Sequence, residues 1–326
     1  MPKVYSVDLR KELKQGNRSI LSSILQEKIE ERLKKKEQIM LFLNRRGYAG
    51  FFSCRSCGTV MKCPHCDVSL SQHRNGKLVC HYCGYETRQP QQCPVCGSPY
   101  IGGFRAGTQQ IEEIVKKRFP QAKVLRMDLD TTRKKGGYES ILSAFSNQEA
   151  DILIGTQMIT KGFDFGNVSL VGILNADNLL NYPDFRAGER AFQLMMQVGG
   201  RAGRRSEQGT VVIQTGQPSH PVLAQVCSGD YEAMARMQLA ERQSFLYPPY
   251  CRLISLTLRH RDRTLLWEAA NRFGDSLRRV FGRRLLGREI TRRIQAGKLR
   301  LRINARRLPV CELQKLMQGG TALRGR

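Results

Sequence analysis

Cys54-Arg-Ser-Cys57-Gly58, Cys63-Pro-His-Cys66, Cys80-His-Tyr-Cys83-Gly84 and Cys93-Pro-Val-Cys96-Gly97 form a single block of four Cys-x-x-Cys pairs in 43 residues. Each pair can place two thiolates on one metal from a tight turn. Eight thiolates make two tetrahedral zinc sites with no ligand left over. A glycine directly follows three of the pairs, and the prolines inside two of them fix φ in a way a metal knuckle tolerates. A lone pair would read as core packing or a redox couple; four pairs read as zinc. Spacing alone leaves the partition open, since neighbouring pairs could share an ion or the outer pairs could close around the inner ones. The five residues between Cys57 and Cys63 favour sending those two pairs to different metals. His65, His73 and His81 could displace a cysteine, but with eight thiolates present they read as solvated side chains or neighbours of the ligands.

The other three cysteines, Cys227, Cys251 and Cys311, are scattered, so the chain is not a disulfide scaffold. The 326 residues are 40% hydrophobic and 25% charged, a globular composition large enough for two or three units. No run of eighteen apolar residues occurs, and Met1–Ser6 lacks the apolar core of a secretory signal. The expectation is a soluble cytoplasmic protein with no membrane partner. A formal charge of +26 favours nucleic acid as the partner.

Outside the cysteine block the pattern is α/β. Ile20, Leu21, Ile24, Leu25, Ile29 and Leu33 recur at helical spacing and predict a helix over 20–36, with Ser19 as its cap. Ile39–Leu43 reads as a buried strand. After the block the alternation resumes: helix 109–119, strand 123–127, helix 138–145, strands 151–154 and 168–174, helix 185–196 and strand 210–214. Apolar runs this short between helices predict a buried parallel sheet. Val222–Ser244 reads as one helix, Leu253–Leu258 as a strand and Thr264–Phe281 as a helix of a small α+β domain. Residues 283–326 hold thirteen Lys/Arg against Glu289 and Glu312, with only Leu299–Ile303 as a plausible strand. That segment reads as a basic nucleic-acid tail or as the product of a shifted reading frame.

Gly102-Gly-Phe-Arg-Ala-Gly107-Thr108 has the glycine spacing of a phosphate loop but no lysine, and no Gly-x-x-x-x-Gly-Lys-Ser/Thr occurs. This argues against an autonomous ATPase. Two other stretches point to phosphoryl chemistry. Gly155-Thr156-Gln-Met-Ile-Thr-Lys161-Gly162-Phe-Asp164-Phe follows a strand, and Gln197-Val-Gly-Gly-Arg201-Ala-Gly203-Arg204 follows a helix. Two arginines three apart can project together toward a triphosphate, where cations are needed as charge develops on the γ-phosphate.

These two stretches resemble motifs V and VI of a superfamily-two helicase. The cysteine block between Asn44-Arg-Arg-Gly-Tyr48 and Gly107-Thr108 more narrowly resembles the primosomal protein N′ family of bacterial replication-restart helicases. Asp128-Leu-Asp-Thr-Thr-Arg133-Lys-Lys-Gly136, Asp177, Tyr182-Pro-Asp-Phe-Arg-Ala-Gly-Glu-Arg190, Ile213-Gln-Thr215, His220-Pro221 and Tyr247-Pro-Pro-Tyr250 also fit, over about residues 1–282.

The resemblance implies a RecA-like second helicase lobe over 1–50 and 98–216, with an inserted zinc module at 51–97. A linker helix at 217–250 and a partial α+β carboxyl-terminal domain at 251–326 would follow. It implies Arg204 as the arginine finger, Arg201 beside it on the phosphates and Gln197 coupling nucleotide to DNA. Thr156, Lys161, Gly162 and Asp164 would contact DNA or relay nucleotide state. One zinc would be held by Cys54, Cys57, Cys93 and Cys96, the other by Cys63, Cys66, Cys80 and Cys83. The implied function is part of an ATP-dependent 3′→5′ DNA helicase for primosome assembly, inactive without lobe one, which would supply the ATP and Mg2+ site. Implied partners are forked or single-stranded DNA, the missing amino-terminal half, primosome proteins and single-stranded DNA-binding protein. Three departures stand out: the first lobe and the amino-terminal DNA-binding domain are absent, Gln109 replaces a glutamate, and the end beyond Gly282 does not follow the family. A standalone zinc-containing DNA-binding or adaptor protein is the alternative.

Overall fold

The structure is a computed structural model and describes residues 2–44, 51–73, 76–103, 106–133, 136–160, 165–203, 208–251, 253–260, 262–282, 285–295 and 298–306. The chain divides into two compact units, Met1–Met61 with Gln89–Arg236, and Lys62–Arg88 with Met237–Arg326.

In chain order the elements begin with β1 (Lys3–Asp8), α1 (Leu9–Lys14), α2 (Ser23–Lys34), β2 (Gln38–Phe42) and β3 (Ser53–Cys54). Three short strands follow, β4 (Ser71–Gln72), β5 (Lys77–Val79) and β6 (Glu86–Arg88). Next come β7 (Ile101–Gly102), α3 (Thr108–Arg118), β8 (Val124–Met127), α4 (Gly137–Ser146) and β9 (Ile152–Gly155). A 3-10 turn at Gln157–Thr160 leads to β10 (Val168–Ile173), α5 (Asp177–Leu180), α6 (Ala187–Gly199) and β11 (Thr210–Thr215). The last elements are α7 (Pro221–Ser228), α8 (Tyr231–Ser244), β12 (Leu253–His260), α9 (Arg263–Phe281), β13 (Leu285–Gln295) and β14 (Lys298–Arg306).

The first unit is built on a six-stranded parallel sheet of order β1-β11-β10-β2-β9-β8. Every residue of β2, β9 and β11 is buried, as strands covered on both faces are, and the apolar stretches Ile39–Phe42, Ile152–Ile154 and Val211–Ile213 lie within them beside the buried polar Gln38, Thr210, Gln214 and Thr215. On one face Leu25 and Ile29 of α2 and Ile111 and Val115 of α3 pack with Ile39, Leu41, Ile152, Ile154 and Leu170. On the other, α6 packs on β10 and α4 on β8. This is the α/β lobe expected from the sequence.

Two local expectations fail. The cap of α2 is Ser22, whose Oγ accepts the N–H of Leu25 at 3.3 Å, while Ser19 Oγ takes the N–H of Leu21 in the preceding turn. The cause lies far along the chain. The buried Gln214 carboxamide accepts from Ser22 N–H at 2.7 Å and donates to Ile20 and Leu174 carbonyls at 2.8 and 3.0 Å, holding residues 20–22 out of the helix. The expected helix 222–244 is two helices, because Gly229 at φ +71° ends α7 and Asp230 Oδ1 accepts the N–H of Ala233 to start α8.

In the second unit β4-β5-β6 form a small antiparallel sheet, and β12, β14 and β13 form another in that order. Asp262 caps α9 by accepting from Thr264 and Leu265 N–H, and α9 lies against β12 and β14. The region read as having one strand, Leu299–Ile303, has two, since Leu285–Gln295 also pairs with β14. Arginines interrupt the apolar alternation there, which hid the strand from pattern reading. Leu70 and Leu78 are buried within this unit, so the cysteine region has a small apolar centre as well as its thiols.

Candidate functional site

The four cysteine pairs fold into four copies of one turn. In each, the N–H after the second cysteine returns to the carbonyl of the first: Gly58 to Cys54, Asp67 to Cys63, Gly84 to Cys80 and Gly97 to Cys93, at 2.9 to 3.0 Å. The N–H of each first cysteine donates to the carbonyl five residues on, at Thr59, Val68, Tyr85 and Ser98. The returning residue takes a left-handed φ in all four, which explains the glycines; Asp67 takes it without one.

These turns bring the eight thiols into two sets. Cys54, Cys57, Cys93 and Cys96 form one; Cys63, Cys66, Cys80 and Cys83 form the other, with the sulfurs of each set within 4.8 Å of one another. The partition is therefore nested, as the resemblance implies. Cys54 to Cys96 and Cys57 to Cys93 are 3.6 Å apart, and Cys63 to Cys83 is 3.5 Å. A zinc–sulfur distance of about 2.3 Å places tetrahedral sulfurs about 3.8 Å apart, so both sets are capable of holding Zn2+. The ion's chemistry there is structural, because four thiolates leave no open position. The histidines stand outside both sets: His65 meets the Tyr85 ring edge-on, and His73 lies 5.3 Å from His81.

Crowded thiols do not ionise independently. Burial pushes the Cys57 thiol up, but hydrogen bonds from Thr59 and from its cysteine neighbours outweigh it and bring it to about 6. Hydrogen bonds from Cys66 and Cys80 draw Cys63 down to about 6, while Cys66 is pushed up by Cys63, Cys80 and Cys83.

The first set is anchored to the carboxyl-terminal edge of the parallel sheet. Asp8, at the end of β1, accepts from Arg10 Nε and Nη2 at 2.9 and 2.8 Å, and Arg10 Nη1 reaches the Cys57 carbonyl at 3.2 Å. Gln217, just past β11, donates to the Gly58 carbonyl at 3.1 Å. Asp177 accepts from Thr215 Oγ1 and from Gly216 N–H, and burial pushes its carboxyl up despite those bonds. Sequence reading missed Arg10 and Gln217, because their partners at the cysteine turn lie 47 and 159 residues away, and with Arg10 it missed Asp8, which orients the guanidinium. The second set belongs to the other unit, where Tyr247 Oη donates to the Cys66 carbonyl at 2.9 Å and its ring meets Tyr82 edge-on. That contact gives the Tyr-Pro-Pro-Tyr stretch a role which the sequence did not explain.

Of the described motif residues, Thr156 follows the carboxyl end of β9, the end at which parallel α/β folds present ligands, while Arg201 and Gly203 follow α6 on the side of the amino end of β10. Gly155 ends β9 so tightly that a Cβ would lie 2.3 Å from Ile159 Cγ2, and Thr156 follows half-buried. The 3-10 turn ends at Thr160, whose carbonyl accepts from Arg201 Nη2 at 2.6 Å. Gly203 N–H donates to Val168 carbonyl, holding the segment after α6 against the start of β10. Gln197 is exposed on the last turn of α6 and borders a cleft of about 370 Å³ together with Gln157 and Thr160. Arg204, Lys161, Gly162 and Asp164 lie outside the described residues. The structure thus brings Arg201, Gln197 and the stretch that starts at Thr156 to one place.

The PriA DNA helicase Cys-rich region (CRR) domain family matches residues 63–88, and the helicase conserved C-terminal domain family matches residues 103–206. The chain is 52% identical to the replication restart protein PriA of Bacillus subtilis (strain 168) over 263 residues, 80% of this chain and 33% of that protein. Identity to the replication restart protein PriA of Synechocystis sp. (strain ATCC 27184 / PCC 6803 / Kazusa) is 49% over 261 residues, 78% of this chain and 31% of that protein. The chain therefore spans about a third of the length of these relatives. Similarity to the Pyrococcus furiosus Hef helicase domain covers 59% of this chain and 25% of that one, at 16% identity and a TM-score of 0.28.

Proposed function

The chain belongs to the PriA family over its cysteine-rich ribbon and conserved C-terminal helicase domain, and from that premise we propose that it is the second motor lobe of a replication-restart DNA helicase. The observation that carries this reading is the Arg201–Thr160 bond, which joins the arginine segment after α6 to the loop after β9. A nucleotide gripped by one can thereby alter the other. In this reading Arg204 serves as the finger that completes a triphosphate site, Arg201 as its neighbour on the phosphates and Gln197 as a coupler of nucleotide to DNA. Thr156, Lys161, Gly162 and Asp164 serve to contact DNA or relay nucleotide state to it. ATP and Mg2+ enter only with a first lobe, since no Walker lysine motif occurs in these 326 residues.

Forked or single-stranded DNA is the substrate, and the +26 charge supports it. Primosome proteins and single-stranded DNA-binding protein are the expected protein partners. No helix among the described residues is long and apolar enough to cross a membrane. A replication-restart motor works on DNA in the cytoplasm, and that is the place of work this reading assigns.

The test is to mix the chain with a separately produced first lobe and measure DNA-stimulated ATP hydrolysis. Hydrolysis should appear only in the mixture and should vanish with Arg204→Ala. The charge also favours a second reading as a zinc-stabilised DNA-binding adaptor. That reading gains if DNA binding falls steeply with salt while the mixture hydrolyses no ATP.

A further inference from the structure

The cleft beside α6 joins two residues of the proposed motor, Gln197 and Thr160, to polar side chains to which the motor reading gives no role. Gln193 and Gln197 project into it from successive turns of α6, Gln157 and Asn44 border it from the ends of β9 and β2, and Tyr182 closes it from beyond α5. The polar lining is four carboxamides and a phenol with no carboxylate among the lining side chains. Gln157 donates to Asn44 Oδ1 at 3.4 Å and Gln193 to Glu189 at 3.3 Å, which leaves the Gln197 carboxamide and the Tyr182 hydroxyl to meet a ligand. The one charged lining residue, Arg190, is engaged with Asp184 at 3.0 Å. We propose that this cleft is a pocket for a single unstacked nucleobase of single-stranded DNA.

Three observations favour a base over a phosphate. Gln197 lies on the last turn of α6, where the partial negative charge of the helix end disfavours anions. Carboxamides offer a donor and an acceptor side by side, the pattern that pairs with a base edge and above all with adenine. The Tyr182 hydroxyl and the Gln197 carboxamide have no hydrogen-bond partner among the described residues, and Tyr182 is 37% exposed, leaving its ring available for stacking. The volume of about 370 Å³ lies in the range of small-ligand pockets and has room for a base. Thr160 also lines the cleft, so an inserted base touches the residue whose carbonyl holds Arg201. Base insertion would thereby be felt at the nucleotide-facing arginine segment.

The inference rests on the reading of this lobe as a DNA-binding motor, and the experiment separates the two. The full chain is titrated with three labelled strands of equal length and charge, an oligo(dA), an oligo(dT) and a fully abasic strand. The wild type should prefer oligo(dA) to the abasic strand by about tenfold, as one stacked and paired base provides. Tyr182→Ala should bring that ratio close to one, and Tyr182→Phe should keep most of it; zinc content and circular dichroism report whether each variant is folded. Equal, salt-sensitive binding of all three strands by the wild type would remove the pocket and leave the DNA reading intact. A preference that survives Tyr182→Ala, or an equal loss on all three strands, would also overturn the pocket. If no strand binds at any salt, both readings fall.

Discussion

Arg201 donates from Nη2 to the backbone carbonyl of Thr160 at 2.6 Å, a charge-assisted bond between residues 41 positions apart. It bonds to the main chain, so the position of the acceptor is set by the turn after β9 and not by a side-chain rotamer. Replacing Arg201 with alanine should lower DNA-stimulated hydrolysis in the two-lobe mixture by about a hundredfold. Hydrogen exchange at Ile159 and Thr160 should quicken in the same variant. If hydrolysis falls while exchange is unchanged, the arginine acts on nucleotide directly and the bond to Thr160 is incidental.

Each cysteine set is complete within its own compact unit. The chain should contain two zinc ions, and Cys93→Ser or Cys66→Ser should each reduce the content to one. Elemental analysis after gel filtration measures this directly. Loss of both ions from either single variant would contradict independent sites.

Gly58 and Gly97 occupy equivalent turns with different surroundings. Both have a left-handed φ, but a Cβ on Gly58 would lie 2.3 Å from the Gly216 carbonyl oxygen, whereas one on Gly97 meets nothing within 4 Å. Gly97→Ala should cost about 1 kcal/mol from backbone strain alone. Gly58→Ala should cost about 3 kcal/mol or more, because two backbone segments must part. Urea denaturation of the two variants tests the difference, and equal costs would mean that the contact with Gly216 yields freely.

The Glu12 carboxylate is buried between α1 and the start of α2, where it accepts from Ser23 N–H and Ser23 Oγ at 2.9 Å and from Asn17. Burial pushes it up, but these donors outweigh burial and hold it below its ordinary value of 4.5. A lowered carboxylate adds stability above its unfolded value, and that stability is lost as pH falls through the folded one. The wild type should therefore exceed Glu12→Gln in stability at neutral pH, and the gap should close progressively as pH falls below the ordinary value of 4.5. Thermal unfolding of both proteins across pH 3 to 7 gives the curve; a gap independent of pH would assign the effect to packing.

Periodicity made the parallel lobe legible and the Cys-x-x-Cys spacing made the metal-binding turns legible, because both depend on residues near one another in the chain; which pairs share an ion was implied only by the family resemblance. Burial on both faces gave β2, β9 and β11 their apolar centres, and the left-handed φ of the turn favoured the glycines that follow three of the four pairs. What stayed hidden depends on distant partners. Nothing near Ser19 or Ser22 reveals which one caps α2, since the deciding group is Gln214. The anchoring of Cys57 by Arg10 is equally silent, an arginine among 54 basic residues. The amide-lined cleft draws its side chains from four separate segments and has no sequence signature at all.

The nesting of one cysteine set inside the other has a bearing on how the protein first matures. Thirteen residues separate Cys66 from Cys80, and thirty-five separate Cys57 from Cys93. Joining the wider gap first would cost roughly 0.9 kcal/mol more in chain entropy than joining the narrower one. Once the inner ion is captured, its compact knot shortens the path between the outer pairs. A newly made chain in scarce zinc is thus steered to fill the inner centre before the outer, so metal supply is converted into an order of construction.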